Sequence, residues 1–214
     1  MKRLVEQALA LKASARGLVG GDPRSSIDIV ASAVPRERPD LRGCSAPDGT
    51  VTILFTDIEG CSALTSRLGD VRAQEVLRSH NAIVRREVAA HGGLEVKSQG
   101  DGFMLAFASG AQALRCAIAA QRAFAAHGAE RPDVAIRVRI GIHTGEAIRE
   151  ANDFFGKTVI VAARIAHEAQ GGEILVSSMV RELAESTGQF AFDSGRDVEL
   201  KGIAGTHRLF AVRW

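Results

Sequence analysis

The stretch VTILFTDIEG, residues 51 to 60, constrains the fold more than any other part of the chain. Its first five residues are mostly β-branched or aromatic, which is typical of a buried strand. That strand leads directly into Asp57. A carboxylate at the end of a buried strand needs a partner, so the sequence around Asp57 is the first candidate for a functional site.

A second carboxylate is expected close to the first. The runs LEVKS (94–98) and FMLAF (103–107) predict two short strands, and the QGDG between them suits a tight hairpin. Asp101 then lies at the hairpin tip. If the hairpin pairs beside the first strand, Asp57 and Asp101 point into one small volume with no cation of the protein between them.

Two carboxylates that close repel each other or share a proton unless a divalent metal neutralises them. Oxygen ligands without His or Cys favour Mg²⁺ or Mn²⁺. Two such ions about 3.5–4 Å apart can activate a hydroxyl and stabilise a leaving phosphate. The same residues also allow a simpler interpretation, with Asp57 as a helix N-cap and Asp101 as a turn residue.

The rest of the pattern predicts an α+β fold. Apolar spacing from Ala73 to Val88 predicts a helix that ends at Gly92-Gly93, and an alanine-rich helix follows Phe107. VAIRVRIGI (134–142) alternates with period two and predicts a strand whose Arg137 and Arg139 form a solvated face. Further on we expect helices over 157–169 and 178–186, and strands at 173–177, 189–193, 196–200 and 207–213. This order predicts a mixed sheet covered by helices, of the ferredoxin-like or palm type.

The first 48 residues differ from the rest of the chain. They contain four of the five prolines, which favours a linker or loosely docked arm over residues 18–48. Residues 2–16 could form an amphipathic helix that dimerises or contacts a regulator, or an unremarkable extension. We therefore divide the chain into an N-terminal extension, 1–48, and one folded domain, 49–214.

Composition excludes several classes of partner. The net charge of +2 and the scattered Lys and Arg do not favour nucleic acid. No apolar run approaches the roughly 20 residues of a membrane span. Three widely spaced cysteines indicate a reducing compartment, so we expect a soluble, cytoplasmic protein. The six histidines lack metal-ligand spacing and are expected at surface or half-buried positions.

Six motifs, taken in order, carry a family resemblance: FTDIEG, VKSQGDGF, GIHTGE, DFFGKTVIVAARI, GGEILVS and VELKGIAGTHRLFAV. Together they resemble the class III nucleotidyl cyclase catalytic domain over residues 49 to 213. The resemblance implies that Asp57 and Asp101 hold two Mg²⁺ or Mn²⁺ ions, with the backbone carbonyl of Ile58 completing one metal's shell. It also implies that this fold is the cyclase homology domain.

The resemblance assigns Lys97 and Asp153 to recognition of the base. Lysine can donate to adenine N1 and aspartate can accept from the exocyclic amine, whereas guanine presents the reverse pattern. The pair therefore favours ATP over GTP, with guanylate cyclase as an alternative. Diguanylate cyclases are less similar, because QGDGF lacks their GGDEF or GGEEF signature.

The resemblance further implies that Arg164 stabilises phosphate charge in the transition state and that Lys201 grips the triphosphate. Fixed cations of this kind are a usual source of rate in phosphoryl transfer. In this family the metal aspartates come from one subunit and the base-reading and cationic groups from the other. A chain with both sets should therefore form a head-to-tail homodimer, and its monomer should be nearly inactive.

One position departs from the family pattern. Ile160 stands four residues before Arg164, where the family has an asparagine that orients the ribose. Isoleucine cannot donate or accept a hydrogen bond, and loss of one such contact typically costs about 10²–10³ in rate. The sequence thus predicts an adenylate cyclase of reduced activity, with a nucleotide-binding regulatory or dimerisation module as the alternative.

Overall fold

The computed structural model describes residues 26–33, 43–150 and 153–214. These residues form six α-helices: α1 (Ser26–Ser32), α2 (Cys61–Leu68), α3 (Asp70–Ala90), α4 (Gly110–Glu130), α5 (Lys157–Glu168) and α6 (Ser178–Glu185). The strands are β1 (Thr50–Ile58), β2 (Leu94–Gln99), β3 (Gly102–Phe107), β4 (Val138–Glu146), β5 (Ile148–Glu150), β6 (Asp153–Phe155), β7 (Ile174–Ser177), β8 (Ala191–Phe192), β9 (Arg196–Glu199) and β10 (Thr206–Arg213).

Eight of the strands form one mixed sheet in the order β2-β3-β1-β4-β7-β10-β8, with β9 also paired to β10. The β4–β7 pair is parallel, as expected where helix α5 crosses between the strands, and the other pairs are antiparallel. The strands β5 and β6 form a separate hairpin. The predicted α+β sheet covered by helices is therefore confirmed.

Period-two alternation divides the buried side chains between the two faces of the sheet. Leu54 and Ile58 of β1 belong to the large apolar cluster under α3 and α4, which we call the first face. Val51, Ile53 and Phe55 point to the opposite side, the second face, where they pack with α1 and α5. Asp57 continues the second set, so the alternation places its carboxylate on the second face.

Helix α5 lies unusually close to the second face, and Gly141 of β4 permits this approach. A Cβ atom at position 141 would lie 2.1 Å from the backbone nitrogen of Ala166. Because two backbones cannot shift apart as a side chain can, only glycine fits here. The contact fixes the position of the helix that carries Arg164.

Several predicted elements have different bounds in the structure. Residues 134–137 were expected in a strand, but Val134 ends a 3₁₀ turn that begins at Pro132. The strand instead starts at Val138 and continues to Glu146. The β5–β6 hairpin was not predicted, since three-residue strands carry little periodicity.

The N-terminal region contains one element that the sequence did not predict. The stretch interpreted as a linker includes α1, whose Ile27 and Val30 are fully buried. The expected helix over residues 2–16 lies outside the described residues. Within the described part of the chain, no helix is both long and apolar enough to cross a membrane.

Candidate active site

Asp57 lies at the end of β1, beside Arg139 of the neighbouring strand β4. The two residues are direct partners in the strand register, so their side chains leave the sheet together. The Arg139 Nε donates to Asp57 Oδ2 at 2.7 Å, and a terminal nitrogen of the guanidinium contacts the same oxygen. The prediction that Arg139 lies on a solvated face, and that no protein cation lies near the carboxylates, is therefore wrong.

Asp101 lies at the tip of the β2–β3 hairpin, as predicted. Strand β3 pairs with β1, and this brings the Asp101 carboxylate to the end of β1. Its Oδ2 accepts a hydrogen bond of 3.1 Å from the backbone N–H of Ile58. Both carboxylates are buried, with 1% of Asp57 and 5% of Asp101 exposed.

This pair of carboxylates fits a divalent metal. Asp57 Oδ1 is buried and has no hydrogen-bond partner, because both contacts from Arg139 go to Oδ2. Burial, followed by repulsion from Asp101, raises the pKa of Asp57 to about 6 despite the arginine. Since one guanidinium does not compensate two buried carboxylates, the site favours an additional cation.

The donor set limits how such an ion could be held. No group of three or more His, Cys, Asp or Glu side chains suited to a metal occurs among the described residues. Asp57 and Asp101 would need backbone carbonyl, water or substrate oxygens to complete a coordination shell. This composition suits Mg²⁺ or Mn²⁺ better than a metal that prefers nitrogen or sulfur ligands.

Lys97 and Asp153 meet on the second face. The Lys97 Nζ donates to Asp153 Oδ2 at 2.7 Å, and both side chains are almost fully buried. Asp153 Oδ1 accepts from the backbone N–H of Phe154 at 2.8 Å. The two residues expected to read the base are thus paired in one chain, although they come from β2 and β6.

The outer side of helix α5 carries Ile160 and Arg164, and Lys201 lies next to Arg164. The Arg164 Nε donates to the Lys201 backbone carbonyl at 3.1 Å, which places the turn after β9 against the helix. Lys201 itself is exposed. Ile160 is 49% exposed one helical turn before Arg164, so its side chain does not belong to the core.

Sequence reasoning missed two contributors to the site. Arg139 was overlooked because alternation in β4 showed only that it opposes the Val138 and Ile140 face, and that opposite side was assumed to be solvated. Pairing of Asp57 with Arg139 depends on strand register, which the sequence alone did not give. Helix α1 was overlooked because the surrounding prolines suggested an irregular segment.

Other titratable groups near the site are held neutral. Burial and the neighbouring Asp101 carboxylate raise the pKa of the Cys61 thiol to about 12, which leaves it a weak nucleophile. His80 was expected at the surface or half-buried but is fully buried between Phe103 and Phe124. Burial lowers the pKa of His80 to about 4.

Comparison with known families agrees with this geometry. A model of the adenylate and guanylate cyclase catalytic domain matches residues 45–213. An adenylate cyclase of Mycosarcoma maydis is 33% identical over 198 residues, covering 76% of this chain and 8% of that protein. A putative adenylate cyclase 3 of Rhizobium meliloti is 34% identical over 153 residues, covering 71% of this chain and 26% of that protein.

Solved structures show the same fold. Adenylate cyclases from Trypanosoma brucei, in their monomeric state, superpose with a TM-score of 0.70 at 26% identity, covering 78% of this chain and 89% of that one. An adenylate/guanylate cyclase/hydrolase from Silicibacter pomeroyi gives 0.68 at 30% identity, covering 76% and 95%. The mixed sheet, which carries two buried carboxylates at adjacent strand ends, therefore has the fold of these cyclase domains. The chain belongs to the adenylate and guanylate cyclase catalytic domain family, and spans only a small part of the curated relatives named above.

Proposed function

We propose that this chain is an adenylate cyclase, which converts ATP to 3′,5′-cyclic AMP and pyrophosphate. The observation that carries the proposal is the buried Lys97–Asp153 pair, on the same sheet face as Asp57. A lysine that donates and a carboxylate that accepts match the edge of adenine. Guanine would place a donor against the lysine and an acceptor against the carboxylate.

Different residues of the candidate site have different roles in the proposed reaction. Asp57, Asp101 and the backbone carbonyl of Ile58 would hold two Mg²⁺ or Mn²⁺ ions, which when bound lower the pKa of the attacking 3′-hydroxyl and neutralise phosphate charge. Arg164 would stabilise charge that develops on the α-phosphate, and Lys201 would bind the triphosphate. Arg139 holds Asp57 in place through its two contacts to one oxygen.

We further propose a head-to-tail homodimer with two shared sites. This arrangement follows the family pattern, in which the carboxylates of one subunit face the Lys97, Asp153, Arg164 and Lys201 positions of the other.

We assign the catalytic domain to residues 49–214 and the extension to 1–48. We also propose a cytoplasmic location, because three widely spaced cysteines favour a reducing compartment.

The test of activity uses the full chain with Mn²⁺ and ATP over a range of protein concentrations. The proposal expects cyclic AMP whose yield per chain rises with concentration, because only dimers contain complete sites. The Asp57→Ala variant should form no product. Absence of cyclic AMP above this control at every concentration would refute the proposal.

A second candidate is a nucleotide-binding regulatory module without turnover. It is favoured by Ile160, whose exposed side chain lies where a ribose-orienting amide is expected and offers no hydrogen bond. Tight ATP binding without product would support it. If Ile160→Asn then produced cyclic AMP, the defect would be local to this side chain, because the remaining groups would be shown competent.

A further inference from the structure

Helix α1 covers the second face of the sheet beside the candidate site. Ile27 and Val30 are fully buried and belong to the same apolar cluster as Phe55, Met104 and Phe154. The fit against the hairpin is close, since a Cβ atom at Gly102 would lie 2.6 Å from Val30 Cγ2 and 3.1 Å from the Ser26 carbonyl. Gly102 directly follows Asp101, so α1 packs against the turn that carries a candidate metal ligand.

Two polar groups of α1 contact two separate residues of the candidate site. The Asp28 carboxylate forms an ion pair with Arg164. The backbone carbonyl of Ala31 accepts a 3.0 Å hydrogen bond from Lys97 Nζ.

Each contact matches the chemistry of a part of ATP. Arg164, which would bind phosphate oxygens, is bound to a carboxylate. Lys97, which would donate to adenine, donates to a carbonyl. One seven-residue helix thus supplies an anion and an acceptor to two groups that the nucleotide would occupy.

Helix α1 is also short enough to undock from the sheet. Isolated helices shorter than about 12–15 residues are marginal in water, so α1 has little stability apart from its docking contacts. Two of its seven residues, Ile27 and Val30, supply its fully buried apolar side chains. Undocking would free Arg164 and Lys97 from these contacts.

We propose that α1 is an autoinhibitory segment that occupies the nucleotide site as a substrate mimic and must undock before ATP binds. The inference rests on the proposed function for the identity of the nucleotide. It goes beyond that function because it makes residues 26–32 a regulator of their own chain. When the competent state is only a fraction of the molecules, the apparent dissociation constant rises by the inverse of that fraction.

The experiment measures the affinity of the full chain for Mn²⁺-ATP by titration calorimetry. Val30→Asp places a charge in the apolar contact, and should tighten binding about tenfold if α1 is docked in nine molecules of ten. Asp28→Asn removes the charge that faces Arg164 while keeping the side-chain shape, and should tighten binding several-fold. Ser32→Ala is the matched control, because Ser32 is exposed on the same helix and bonds only to α1 carbonyls.

Hydrogen exchange provides a readout that does not depend on turnover. In the unmutated chain, Mn²⁺-ATP should accelerate exchange of the amides in α1. Unchanged or weaker ATP affinity in the two release variants, together with α1 amides that stay protected in the presence of ATP, would overturn the inference. Circular dichroism verifies folding, and Asp28→Asn decides the outcome if Val30→Asp fails to fold.

Parallel cyclic AMP assays separate this inference from the proposed function. Tighter ATP binding in the release variants, with no product from any chain, would refute the cyclase activity and support autoinhibition. Product from the unmutated chain with no effect of the release variants on affinity would refute autoinhibition and support the activity. Failure of every chain to bind ATP would refute both.

Discussion

The two faces of the central sheet are built for different purposes. The first face is covered by the 21-residue helices α3 and α4 and is filled by a continuous apolar cluster. The second face is covered by the shorter α5 and the seven-residue α1, and it holds Asp57, Lys97, Asp153 and Arg139. The apolar first face therefore stabilises the sheet, whereas the second face holds buried charges under a short helix that can undock.

The largest effect on stability is expected from the Lys97–Asp153 pair of the second face. Lys97→Met leaves the Asp153 carboxylate buried without its cation, which should cost about 3–5 kcal/mol of unfolding free energy. The double variant Lys97→Met/Asp153→Leu should recover most of the loss, because it removes both charges. Urea unfolding measures both values.

A buried polar group of the first face provides the matched comparison. Gln121 donates to the backbone carbonyls of Val138 and Glu173. Gln121→Met leaves these neutral acceptors without that donor and should cost about 1–3 kcal/mol. A cost equal to or larger than that of Lys97→Met would contradict the proposed difference between the faces.

The next effect concerns catalysis. Arg164→Ala should lower the rate of cyclic AMP formation by about 10²–10³, as expected for loss of one group that stabilises transition-state charge. Arg122→Ala, an exposed substitution on α4 over the first face, should leave the rate unchanged. Steady-state kinetics should place most of the Arg164 effect in kcat. An effect confined to KM would indicate ground-state binding instead.

A smaller, pH-dependent effect is expected at the first face. Because the pKa of buried His80 is about 4 in the folded chain and near 6.5 when unfolded, the unfolded state binds more protons between these values. Stability should therefore fall as pH decreases from about 7 to 4, by up to roughly 3 kcal/mol from this residue. His143 adds in the same direction, since burial lowers its pKa to about 4 as well.

Unfolding measured at pH 7 and at pH 4.5 tests this effect. His80→Leu should flatten the dependence on pH, whereas the exposed His167→Leu should not. A slope that is identical in His80→Leu and the unmutated chain would show that His80 does not contribute.

Much of the fold and of the candidate site could be predicted from the sequence, but not all of it. Strong local patterns, such as the buried strand before Asp57 and the glycines around Asp101, located both carboxylates and their hairpin correctly. The same patterns could not pair Asp57 with Arg139, because the pairing depends on the register between β1 and β4. Local sequence patterns also could not show that α1 docks on the second face, because the stability of so short a helix depends on tertiary contacts rather than on local helix propensity.

A competition between substrates tests the proposed specificity for ATP most directly. The full chain is supplied with equimolar ATP and GTP and with Mn²⁺, and cyclic AMP and cyclic GMP are quantified together, with Asp57→Ala as the blank. We predict that cyclic AMP predominates, because Lys97 and Asp153 complement adenine and oppose guanine. Predominance of cyclic GMP, or no cyclic nucleotide above the blank, would contradict this prediction.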